Sequence, residues 1–87
     1  MRNIILISLE LGETFAAAAA SRLIADCTIT AFPANQQDMQ VRVDGDDQHV
    51  ADWSAGVGVM FEQIDLARLE FKGAAGDKVL IAGTSAP

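Results

Sequence analysis

Residues 22–32 read RLIADCTITAF, and their alternation decides the fold class. Leu23, Ala25, Cys27, Ile29 and Ala31 fall on one side, and Arg22, Asp26, Thr28 and Thr30 on the other, with Ile24 as the exception. A period of two is that of a strand with one face buried. The rhythm recurs downstream. After a loop over Phe32–Asp38 (FPANQQD), Met39, Val41 and Val43 alternate with Gln40 and Arg42. Asp44-Gly45-Asp46-Asp47 then predicts a hairpin, because Asp and Gly both tolerate positive φ, with Val50–Trp53 as the returning strand. Residues 55–61 place Val57, Val59 and Phe61 on one face and Gly56, Gly58 and Met60 on the other. Glu62–Asp65 reads as a turn. Leu66–Lys72 points Ala67, Leu69 and Phe71 inward and Arg68, Glu70 and Lys72 outward. A loop over Gly73–Asp77 leads into a last apolar strand, Lys78–Gly83, and a frayed tail over Thr84–Pro87.

Upstream, Arg2–Leu9 (RNIILISL) reads as a buried strand followed by a turn at Glu10–Glu13. Residues 14–21 (TFAAAAAS) read two ways. Alanine favours a short helix, whereas the alternation that follows favours a strand. About seven short strands at intervals of roughly 8–12 residues are the rhythm of a small β-sandwich or barrel. The expected fold is therefore all-β, a compact antiparallel sandwich or jelly-roll-like barrel of about six to eight short strands, with residues 14–21 as the one place for a short helix. No internal repeat or linker divides residues 1–87, which form one domain.

At 87 residues such a domain buries only roughly 60% of its unfolded surface, so outside help to stability is expected. Cys27 is the one cysteine and His49 the one histidine, so neither a disulfide nor a zinc site supplies it. Oligomerisation is the remaining device. Six basic against twelve acidic side chains give a net charge of −6. Residues 44–87 carry three basic and eight acidic groups, a balance of −5, so most of the excess lies in the second half. An acidic surface repels phosphate, which disfavours nucleic acid and anionic lipid as partners. No stretch reaches the roughly 18–20 apolar residues of a membrane span. A signal peptide is disfavoured too: Glu10 and Glu13 cut the apolar run from Ile4 to Leu9 short of the roughly 7–15 residues required.

Candidate chemistry is sparse. Asp44, Asp46 and Asp47, with Asp52 nearby, lack the spacing of a calcium loop and read as a solvated, acidic hairpin tip that resists edge-to-edge association. Gly56-Val57-Gly58 lacks the third glycine and the lysine of a phosphate loop, and reads as strand or bulge. His49 lies near Asp47 and Asp52, but Ser54 is in no nucleophile elbow. Cys27 falls on the apolar face as an inert thiol. No catalytic residue, metal ligand or cofactor is assigned. The candidate contact residues are Ala16, Ala17, Ala18, Ala19 and Ala20, whose small side chains permit close packing against a partner, and Trp53, the one tryptophan.

The second half, VRVDGDD (41–47) followed by a short aromatic strand and SAGVGVMFEQIDLARLEFKGAAGDKVLIAG (54–83), resembles a class of small structural proteins of phages and prophages. In that class an R/V-rich strand ends in a D-G hairpin. A G-x-G-x-x-F strand follows, here Gly56 to Phe61. Then come a hydrophobic-x-R-L-E-F strand, here Leu66 to Phe71, a small-residue loop, and a strand ending in Gly. The resemblance covers residues 41–83. It implies a β-sandwich or jelly roll that decorates or cements a capsid, or builds a fibre or spike, commonly as a trimer. It also implies a virion location after a cytoplasmic stage in the host. The partners it implies are further copies of the chain and a capsid or other virion protein. The residues leave a second reading open, an acidic module that occupies a basic site on a partner protein.

Overall fold

The computed structural model describes residues 3–85. It contains eight strands: β1 (Asn3–Glu10), β2 (Ala16–Ala17), β3 (Ile24–Ala31), β4 (Met39–Val43), β5 (Ala51–Trp53), β6 (Gly58–Asp65), β7 (Leu69–Lys72) and β8 (Lys78–Ser85). They form two four-stranded sheets, ordered β1-β8-β3-β6 and β2-β7-β4-β5. Every paired neighbour is antiparallel. The order has a simple origin. Strands β1 and β8, β2 and β7, β3 and β6, and β4 and β5 pair as the nested rungs of one long hairpin centred on residues 44–50. Sideways pairing of β3 with β8 and of β4 with β7 rolls that hairpin up. The result is a jelly roll.

The D-G signal sits at the root of the roll. Asp44 and Gly45 both have positive φ, +54° and +73°, and the Asp46 N–H closes the turn on the Val43 carbonyl. The connection is nevertheless longer than a two-residue hairpin. Val43 pairs with Leu69 of β7, and the β4–β5 pairing runs only from Met39–Trp53 to Val41–Ala51.

The inward face expected for β3 is the one observed: Ala25, Cys27, Ile29 and Ala31 are buried. They share one core with Ile5, Val79 and Ile81 of the same sheet and with Met39, Trp53 and Phe71 of the other. Leu11, Ala18 and Leu66 close it from the connections. Trp53 lies 6.4 Å from both the Phe61 and Phe71 rings and donates its indole N–H to the Val57 carbonyl at 2.8 Å.

Several local expectations are corrected. β1 is not buried on both faces. It is a sheet edge whose Ile5 side is covered and whose Ile4 side is open; Arg2 lies outside the described residues. Residues 14–21 contain no helix. Only Ala16 and Ala17 pair, with Phe71 and Glu70, because tertiary pairing overrides alanine's propensity. Glu62–Asp65 is not a turn, since β6 continues through it beside β3. Leu66–Arg68 is one turn of 3-10 helix and not strand, and Leu66, not Ala67, is its buried residue. Thr84 and Ser85 belong to β8, while Ala86 and Pro87 lie outside the described residues.

Two connections are tied down by carboxylates. The buried Asp77 accepts the backbone N–H groups of Gln36 and Gln37 at 2.9–3.2 Å, which pins the Phe32–Asp38 loop to the start of β8. Asp65 accepts the N–H groups of Leu23 and Ala67 at 3.1 and 3.0 Å, joining the entry of β3 to the 3-10 turn.

Gly83 sits where backbones come closest. A Cβ there would meet the Asp26 carbonyl oxygen at 2.1 Å and the Cys27 Cα at 2.6 Å, whereas one at Gly12 would meet nothing within 4 Å. Gly83→Ala should therefore cost about 3 kcal/mol or more, at the upper end for overpacking, and Gly12→Ala should stay within about 0.5 kcal/mol, both read by urea unfolding. The Asp65 carboxyl is held below its usual value of 3.8, chiefly by the Leu23 N–H and then the Ala67 N–H. A folded-state value below the unfolded one adds stability above about pH 4 that disappears as pH falls through the lowered folded value. Asp65→Asn should thus weaken the fold at neutral pH and flatten the loss of stability below about pH 4, measured by denaturation at a series of pH values.

Candidate functional site

The two outer faces of the roll differ in chemistry. On the β1-β8-β3-β6 sheet, one row of directly opposed residues crosses all four strands: Leu6, Ala82, Thr28 and Met60. Leu6 is 73% exposed and Met60 74%, and Ile4, one outward position from Leu6, is 86% exposed. The adjacent row is Ser8, Leu80, Thr30 and Gly58. In the first row large apolar side chains thus stand at the two rims, with small ones between them, and in the second the large Leu80 lies between small rims. The floor near β6 is a shallow hollow of about 240 Å³ lined by Thr28, Met60, Ala82 and Gly83, with Asp26 and Glu62 at one end. Isolated exposed apolar residues are ordinary, but a row across a whole sheet is not.

The other sheet presents ions. Arg42 lies with its Cζ 4.0 Å above the Phe15 ring, donates Nε–H to Glu70 at 2.7 Å, and pairs with Asp47. Lys72 approaches the same ring at 4.9 Å. Beside it lies an open polar cavity of about 510 Å³ lined by Gln37, Asp38, Gln40, Asp52, Lys72 and Gly73.

The acidic hairpin residues find local partners. Arg68 holds Asp44 through Nε and Nη2, a hydrogen-bonded pairing that draws the carboxyl below its usual range. Asp47 is taken by Arg42, and Asp46 by His49 Nδ1 at 2.7 Å and the Gln48 N–H at 3.0 Å. The tip is exposed, and each of its three carboxylates has a local partner. Such solvent-screened pairs contribute little to stability.

The contact candidates from the Ala run are divided. Ala16, Ala17 and Ala20 are exposed, Ala19 is half-buried, and Ala18 is in the core. A charge at position 18 would therefore test folding before it tested docking. Trp53 is a core residue whose edge reaches an open hollow of about 330 Å³ with Val57 and Val59. Ile4, Leu6 and Met60 were not among the candidates. Their signal in sequence was apolar residues on both sides of an alternating strand, and its meaning depends on which strand has neighbours on both flanks.

Burial, with the neighbouring Asp26 carboxylate, pushes the Cys27 thiol up and away from the thiolate. Gly56 takes a positive φ of +83° in the turn before β6, and Gly58 faces the Thr30 hydroxyl. Among the described residues no three His, Cys, Asp or Glu side chains cluster in a way that could hold a metal ion. No helix there is long and apolar enough to cross a membrane.

Fold and surface together define an all-β jelly roll with exposed apolar side chains at the rims of one outer face and ion pairs on the other. No protein-family model matches the chain, and neither a curated protein nor a solved structure does.

The apolar row makes a direct expectation. Leu6→Ser and Met60→Ser should each leave stability within about 0.5 kcal/mol, because both side chains are already in water. Together they should abolish most of the fluorescence gain of a dye that binds apolar surface, titrated onto dilute protein.

Proposed function

We propose that this chain is a non-enzymatic structural protein of a phage virion, a capsid decoration or cement protein that binds the shell and its own copies. The observation that carries the proposal is the apolar row Leu6-Ala82-Thr28-Met60 across an open sheet face. Exposed Ile4, Leu6 and Met60 on one outer face of a small acidic domain mark a place where another macromolecule packs. The sequence resemblance over residues 41–83 supplies the class of partner, and the jelly-roll strand order is the architecture that resemblance implies.

The mechanism is passive. Water leaves the Leu6–Met60 face when it meets a complementary surface, and about 25 cal/mol per Å² of apolar area drives the contact. The ion-paired sheet and the 44–50 tip stay in water and keep the particle's exterior soluble. With a net charge of −6, the chain works as a protein-binding and not a nucleic-acid-binding module. The rival reading, an acidic occupant of a basic site, draws less support from the hairpin, because Arg42, Arg68 and His49 already engage its carboxylates.

Phage shells assembled without this chain should take up the purified protein in co-sedimentation. Leu6→Lys/Met60→Lys should reduce the bound copies at least about tenfold, the effect of roughly 1.4 kcal/mol. Binding should persist in high salt, which screens charge but not apolar contact. Uptake unchanged by the double substitution, or uptake lost on adding salt, would reject this docking face.

A further inference from the structure

Sheet edges expose unpaired backbone N–H and C=O groups, and folded proteins shorten, bulge or charge them. The roll has four such edges, and three are blunted. β2 has two residues and β5 has three. β6 is long, but its register with β3 shifts between Ala25 and Cys27. Its Gln63 stands at φ +51°, with its N–H taken by Asp26 Oδ1 at 2.8 Å. β1 has none of these devices. Its eight residues run in unbroken register with β8 from Asn3–Ser85 to Glu10–Lys78. It contains no proline or glycine, and no charge before Glu10. It also carries Ile4 and Leu6, the most exposed aliphatic side chains of the apolar face.

We propose that β1 pairs edge to edge with β1 of a second copy of this chain, antiparallel about a two-fold axis, joining the two apolar sheets into one of eight strands. The inference rests on the reading of this sheet's outer face as the docking face.

A second copy is the occupant because the strand is complementary to itself. Directly opposed residues of an antiparallel pair share a face, so the axis must pass through a residue of the strand. Centred on Leu6, the pairing sets Leu6 against the partner's Leu6, Ile4 against the partner's Ser8, and Ile5 against the partner's Ile7. Centred on Ile7, it would set Ile4 against the partner's Glu10. Keeping the exposed Ile4 off the partner's carboxylate selects the first register. That register also makes the apolar row continuous from Met60 of one copy to Met60 of the other. The contact is isologous and closes at two, where the resemblance implies three.

The test is solution mass by light scattering across a dilution series, with circular dichroism to show that each variant is folded. Wild type should run at twice the chain mass. Leu6→Lys, which opposes two like charges at the axis, should raise the dissociation constant at least about tenfold. A wild-type monomer at every concentration would overturn the inference, as would a dimer that Leu6→Lys leaves intact. Monomer that still binds shells would remove this inference alone. A Leu6→Lys-sensitive dimer that ignores shells would uphold it and remove the proposed function.

Discussion

The pairing of β3 with β8 is the contact on which the rest of the molecule depends. Without it the chain is an open hairpin of four nested strand pairs, and no face of it is covered. With it β1-β8 and β3-β6 become one sheet, and the second sheet is brought over the first. The contact is so close at Gly83 that the Asp26 carbonyl oxygen lies where a Cβ would be. A glycine there is a requirement of the fold and not a loop's convenience. On the other flank of β3, its register with β6 shifts between Ala25 and Cys27, where Asp26 accepts the Gln63 N–H. That local irregularity blunts one of the roll's edges.

Closure leaves each sheet one inner and one outer face, and the two outer faces part in chemistry. The sheet with short edges, β2 and β5, carries Arg42, Glu70 and Lys72 around Phe15 and leads into the ion-paired tip. The sheet with long strands carries Leu6, Ala82, Thr28 and Met60. Salt and water suit the first. The second gains by being covered. In a domain this small the hidden core is limited by surface-to-volume scaling. The hairpin carboxylates, which suggest a charged docking tip when residues are counted, each engage a local partner.

Much of the framework was legible in the residues themselves. The alternation of residues 23–31 predicted the buried set Ala25, Cys27, Ile29 and Ala31, and Asp44-Gly45 predicted a turn with two positive φ values. Both are local: a strand's two faces follow from its pleat, and a turn's φ values from its residues. The errors were local in origin too. Five alanines carried a helical preference that pairing with β7 overrode. The polar Glu62–Asp65 segment looked like a turn because an edge strand needs no apolar face toward solvent. Asp65 and Asp77 gave no sequence sign that they brace distant backbone, since Leu23, Gln36 and Gln37 lie 40 or so residues away from them.

By itself, then, the sequence determined an all-β domain, most of its strands, its central turn, its charge and the residues of β3 that face inward. Only the tertiary structure decided the rolled topology, the helix-or-strand ambiguity at 14–21, the burial of Ala18 and Trp53, and the exposure of Ile4, Leu6 and Met60. The physical reason is that periodicity records which residues share a face, whereas burial depends on what packs against that face. An edge is defined by the strand that is not beside it, and that neighbour is chosen by contacts between residues far apart in the chain.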